Sequence, residues 1–154
     1  MTGLEWAELS NLILIGLLAG NDVAVWAVVH PALDSIPVTQ SFGAERAMLL
    51  RYKTIIPLLI LLILVSGSVV AALDDLWSTR FWLAVSGTVA IFLWQLIVLS
   101  LYPLNVKVME APADEVPDPE EWRRMRRKWY QRHTVRTVLS VGGLAVFILS
   151  ALRI

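Results

Sequence analysis

The chain has 154 residues, a length that suits one domain. It is 57% hydrophobic, 17% charged and of zero net charge, with a mean hydropathy of +0.67, whereas soluble domains carry about 25% charged residues. There is no cysteine, which excludes disulfides and thiolate metal sites.

Residues 1–11 are acidic, and the apolar run after them lacks a small-residue cleavage site, so the start does not read as a cleavable signal peptide. Residues 9–29 are apolar apart from Ser10, Asn11, Asn21 and Asp22, and Pro31 is expected to help end this first helix. Residues 31–54 are mixed and polar; their second half, 41–54, reads as a helix at the interface feeding the next span. Residues 55–73 carry no charge and are broken only by Ser66-Gly67-Ser68. A short loop, 74–80, leads into 81–102, which is uncharged with Gln95 its most polar member. Residues 103–121 hold Pro103, Pro112, Pro117 and Pro119 with an acidic cluster and read as a loop. A helix begins near Glu120 and runs into a last apolar stretch, 137–152.

A hydrocarbon core of about 30 Å needs roughly 20 apolar residues per helix. A soluble bundle would need a polar face on each helix, and 55–73 has none. The expected fold is therefore all-α, a single membrane domain over 1–154. It is a four-helix transmembrane bundle with spans at about 9–30, 55–73, 81–102 and 133–152. An amphipathic basic helix is expected to lead into the fourth span. On it Trp122, Arg126, Trp129, His133 and Arg136 recur at steps of four, three, four and three, and the stripe continues through Ser140, Gly143 and Phe147.

Lys and Arg set the orientation. The termini and the 74–80 loop share one side, which carries only Arg80 and Arg153. The other side carries Arg46, Arg51, Lys53, Lys107, Arg123, Arg124, Arg126, Arg127, Lys128, Arg132 and Arg136. Both termini are expected on the non-cytoplasmic side of a bacterial inner membrane, with both long loops cytoplasmic. At such a face the basic run suits anionic lipid rather than nucleic acid.

This topology carries His30, Arg51, Tyr52, Lys53, Tyr102, Asn105, Trp129, His133 and Arg136 to one membrane face. An intramembrane arginine such as Arg136 usually faces a partner or a wet cavity. Asp22, near the middle of the first span, would cost at least about 2.5–3.5 kcal/mol to insert if ionised. Asp22, Trp26 and His30 follow at i+4 steps, with Asp22 roughly 12 Å deeper than His30. Two readings stand: Asp22 lines a pocket walled by Trp26, or it is protonated and joins helices through Gln95, Ser66 or Ser68. Imidazoles from His30 and His133, with Asn105 or a carboxylate such as Glu45, suit acid–base chemistry or a transition metal. No HExxH pair, phosphate loop or nucleophile elbow is present.

The third-helix ending Tyr102-Pro103-Leu104-Asn105, then Trp122, Trp129, His133 and Arg136 before a last apolar span, resembles the anthrone oxygenase-like family of small four-helix membrane proteins. The ending Val29-His30-Pro31 fits as well. The resemblance implies an oxidoreductase that oxidises a hydrophobic aromatic molecule with dioxygen, as fungal relatives convert an anthrone to an anthraquinone. Its cofactor is unassigned: none, or iron or copper held by His30 and His133. By the same resemblance His30, His133, Arg136 and Asn105 are the expected catalytic residues. One histidine would remove an acidic ring proton while Arg136 and Asn105 steady the oxyanion. Asp22, Trp26, Tyr102 and Trp129 are the expected substrate-binding residues; the Asn21-Asp22 pair is not matched to the family's pattern. The rival expectation is a non-enzymatic scaffold, or a small-molecule- or metal-binding partner protein. It would oligomerise through the small residues at Ser66-Gly67-Ser68 or Gly142-Gly143.

Overall fold

The computed structural model describes residues 1–112 and 115–152; Arg153, counted above in the charge balance, lies outside the described residues. Four long helices account for nearly all of them: α1 Gly3–Asp34, α2 Val38–Leu73, α3 Thr79–Glu110 and α4 Pro119–Ala151. Each is long and apolar enough to cross a membrane. Local chemistry sets three of the four starts. Thr2 and Glu5 form a reciprocal capping box, the Ser78 hydroxyl accepts from Phe81 N–H, and Asp118 accepts from the N–H groups of Glu120 and Glu121 behind Pro119.

The helices are longer than the expected spans. At 32 to 36 residues they measure about 48–54 Å, well beyond a hydrocarbon core of about 30 Å. Residues 41–54 are not a separate interfacial helix but the first turns of α2. Pro103 does not open a loop: α3 continues through it to Glu110, giving up one backbone hydrogen bond.

Pro31 does not end the first helix either. Residues Val25–Val29 form a π turn in which the His30 N–H bonds to Val25 O, five residues back. Such a turn makes room for a proline ring that would strike the preceding turn of an α-helix. It also resets the helix face. Eight α residues overshoot two full turns by about 80°, and the inserted residue takes back about 100°. His30 therefore returns to within about 20° of the face that carries Asp22. Both are buried, while Trp26 between them is 37% exposed.

α1 packs on α2 and α4, and α3 on the same two, while the diagonal pair α2–α4 barely touches. At one end Arg80, in the first turn of α3, bonds Glu8 of α1 and the Ser150 carbonyl of α4 and lies 3.4 Å from Asp74 in the α2–α3 connection. The start of α1, the end of α4 and the α2–α3 connection therefore share one end of the bundle. The core beneath is built by close approach. The Phe147 ring lies between two glycines: a Cβ on Gly87 would sit 2.7–2.9 Å from three of its atoms, and one on Gly67 would sit 2.7 Å from Thr88 Oγ1 and 3.0 Å from the ring. Ile15, Leu18, Ile63, Val70 and Ile91 fill in around it. The outside is apolar too, with Leu58 at 58%, Leu61 at 57% and Val138 at 68% exposure. A belt of that kind belongs against lipid.

Candidate functional site

At the other end the helices hold a cavity of about 380 Å³. Its base is a polar cluster around Asp22, whose side chain is fully buried. Every partner of that carboxyl is a donor. The Trp94 indole N–H gives a 2.6 Å bond and the Ser140 hydroxyl a 2.9 Å bond to Oδ2, and Arg136 Nη2 reaches Oδ1 at 3.3 Å. The Arg136 guanidinium carbon also lies 4.6 Å from the centre of the Trp94 ring. Trp94 thus holds the acid by its edge and the cation by its face, a contact that strengthens when desolvated. Ser66 and Ser68 take no part: Ser66 donates to Asn11, and Ser68 to the Leu64 carbonyl. The expectation of Asp22 bonded to Gln95, Ser66 or Ser68 is replaced by a carboxylate set against Arg136.

His133 sits in the same cluster. Arg136 Nη2 lies 2.8 Å from its Nδ1, and its Nε2 lies 3.0 Å from the Asp22 carbonyl oxygen. A guanidinium can only donate and a carbonyl can only accept. Nδ1 is therefore the acceptor and Nε2–H the donor, and both ring nitrogens are occupied by the protein. His30 differs. Its ring packs edge-on against His133, centroids 5.0 Å apart, and against Tyr130 at 5.7 Å. Its Nδ1 is buried with no hydrogen-bond partner among the described residues. Arg136 Nε is in the same condition.

A second arginine fastens the elements around His30. Arg126, 5% exposed, donates from Nε to Asp34, from Nη1 to Glu45 at 2.6 Å and from Nη2 to the His30 carbonyl at 2.9 Å. Trp129, one turn further along α4, donates its indole N–H to Asn105 Oδ1 at 2.8 Å, leaving the Asn105 amide NH₂ to donate elsewhere. Across the cavity the Tyr52 hydroxyl donates to Asn21 Oδ1 at 3.0 Å.

Residues 46–146 match the family described as anthrone oxygenase. The chain belongs to the anthrone oxygenase family. No curated protein and no solved structure matches it. The matched stretch carries Tyr52, Trp94, Tyr102, Asn105, Trp129, His133 and Arg136; Asn21, Asp22, His30 and Glu45 precede it.

Of the residues expected at the site of this anthrone oxygenase family member, His30, His133, Arg136, Asn105, Tyr102 and Trp129 all line the cavity. Asp22 and Trp26 do not. Asp22 lies sealed beneath the floor and reaches the cavity only through Arg136 and His133. Trp26 lies 37% exposed and donates to Thr134 Oγ1 at 3.1 Å on the bundle's surface. Asn21 and Tyr52 were not among the expected site residues, nor was Trp94. A buried indole N–H in an apolar span needs an acceptor, and Asp22 is the nearby acid; that pairing was the available signal.

The donors do not suit a metal. His133 has no free lone pair, and Glu45 is held by Arg126. Among the described residues no group of three or more His, Cys, Asp or Glu side chains gathers as a metal would need. His30 and His133 are neighbours without being a ligand pair.

Proposed function

We propose that the protein is a membrane-embedded oxidoreductase that takes a flat, hydrophobic aromatic molecule into this cavity and oxidises an activated ring methylene with dioxygen. Family membership supports the reaction class. The observation that carries the reading is His30: an imidazole lining the cavity whose buried Nδ1 has no hydrogen-bond partner among the described residues, with a guanidinium nearby. The cavity, about 380 Å³, falls within the roughly 300–1,000 Å³ usual for small-molecule sites.

In this reading His30 removes a proton from the methylene between two rings. The negative charge spreads onto the substrate's carbonyl oxygen, where Arg136 and the Asn105 amide donate to it. Trp129 and Tyr102 hold the rings. The carbanion gives its electrons to dioxygen and a carbon–oxygen bond forms; the peroxide takes the proton back and loses water, leaving a new carbonyl. One dioxygen is consumed and one water released per methylene oxidised. His133 acts through Arg136 as a positioning residue, since its lone pair is spent on that guanidinium. In the same reading the cavity faces the cytoplasmic leaflet of a bacterial inner membrane, which the excess of basic residues around the cavity end, against Arg80 at the other, supports.

The test is oxygen uptake by protein in lipid nanodiscs supplied with an anthrone. His30→Ala should lower turnover by about 10²–10⁴-fold, the usual contribution of a general base, with helical content unchanged. Full turnover in folded His30→Ala protein would remove this reading and leave scaffolding or simple binding.

A further inference from the structure

The cavity's lining is uneven in a way that locates its opening. From α1 and α4 it takes Asn21, Val25, Val29, His30, Trp129, His133 and Arg136, none of them exposed. All the exposed lining residues come from the other two helices: Lys53 and Pro57 on α2, Leu99 and Tyr102 on α3. Around these lips the surface is apolar, with Ile55 and Leu58 exposed on α2 and Leu96 on α3.

Two prolines sharpen the picture. Pro57 has no N–H to give the carbonyl four residues back, which is that of Lys53. Pro103 likewise leaves the carbonyl of Leu99 without its helical partner. One carbonyl on each lip is thus released from its helix. Irregular backbone at membrane depth is tolerated where it lines a cavity and not where it faces lipid tails. Freed acceptors on both sides of one opening fit a passage that admits polar groups of a passing ligand.

We propose that α2 and α3 form a lateral portal, with Lys53, Pro57, Leu99 and Tyr102 as its lips, through which an apolar ring compound dissolved in the bilayer reaches His30 without crossing water. The ligand class rests on the function proposed above; the route does not. Leu99 and Pro57 set the clearance of the passage, and the bulk at these two positions governs which ring systems pass.

The experiment reads labelling rather than turnover. The chain has no native cysteine, so Lys53→Cys with Leu99→Cys gives one defined pair. In liposomes the pair is bridged by a bis-maleimide with a reducible centre. A lipid-dissolved aryl diazirine is then photolysed and the labelled peptides are read by mass spectrometry. Unbridged protein should carry label on Met48, Met109 and Trp129 inside the cavity. Bridging should cut that label about tenfold, reduction should restore it, and label on Leu61 and Val138 at the outer face should not change. Cavity label that survives bridging overturns the portal, as does its absence from unbridged protein. Bridging-insensitive labelling by a membrane-impermeant charged diazirine overturns it in favour of an aqueous route. His30→Ala should label like the parent, so loss of the portal and loss of the catalytic reading give different results.

Discussion

The two halves of this bundle hold together by different means. At the end with the termini, shape does most of the work: Phe147 fits between Gly67 and Gly87, one part-buried polar pair, Ser66 with Asn11, lies beside it, and Arg80 ties Glu8 and Ser150 at the rim. At the cavity end the helices are propped apart by hydrogen-bonded side chains and enclose about 380 Å³. Lipid gives helices little hydrophobic reason to associate, so a bilayer protein must use close packing or polar contacts. This one uses the first where it needs rigidity and the second where it needs space. The contrast repeats within the open half. Arg126 spends all three nitrogens on Asp34, Glu45 and the His30 carbonyl, whereas Arg136 keeps a buried Nε with no partner among the described residues. The first arginine is a fastener; the second has a donor left for a ligand.

The largest effect should come from removing the fastener. Arg126→Met leaves Glu45 buried and unpaired, and breaking such a pair costs about 3–5 kcal/mol. Unfolding in a denaturing-detergent titration should shift by that amount. An unchanged midpoint would mean that the Arg126 network adds nothing to the fold.

Arg136 requires a paired change, because its loss alone would strand Asp22. Asp22→Asn with Arg136→Gln removes both charges and keeps groups that can hydrogen-bond. Stability should be largely retained while turnover with an anthrone falls by about 10²–10³-fold, the usual cost of one oxyanion donor. If the double variant turns over normally, Arg136 is a second fastener and the contrast between the two arginines fails.

The closed half is tested by Gly87→Ala. The new methyl would meet the Phe147 ring at 2.7 Å, and overpacking of this kind costs about 1–3 kcal/mol. Phe147→Leu should recover part of that loss in the double variant. Gly143→Ala, whose methyl would meet Ile15 and Ile91 at 3.3–3.4 Å, should be milder. Gly67 and Gly143 therefore serve packing inside the bundle.

These sites also divide by what the sequence could disclose. Uncharged runs such as 81–102 announce a helix in lipid by composition alone. The α4 stripe faces inward because that helix keeps one period throughout: Trp122, Arg126, Trp129, His133, Ser140, Gly143 and Phe147 are buried, and Arg136 is part-buried. On α1 the i+4 series Asp22, Trp26, His30 assumed the same constant period, and the π turn broke it. One extra residue in a turn leaves no trace in a run of Val and Ala. Tyr52 lines the same cavity as His30, but its bond to Asn21 depends on how two helices are rotated against each other. Periodicity within one helix cannot supply that rotation.

The smallest expected effect falls where the reading of α1 changed most. If Trp26 walled the cavity, Trp26→Phe would alter ring binding and raise KM for an anthrone. In the structure it instead donates to Thr134 Oγ1 at a site 37% exposed. Losing one such bond costs about 0.5–1.5 kcal/mol at most. Stability should therefore fall slightly while kcat and KM stay unchanged. Moving the π turn makes the converse check: Pro31→Ala restores the missing N–H and allows a regular α-helix, which would rotate His30 to about 80° from the Asp22 face. Turnover lost in Pro31→Ala but kept in Trp26→Phe would show that one proline, and not the tryptophan four residues before His30, sets the imidazole's position.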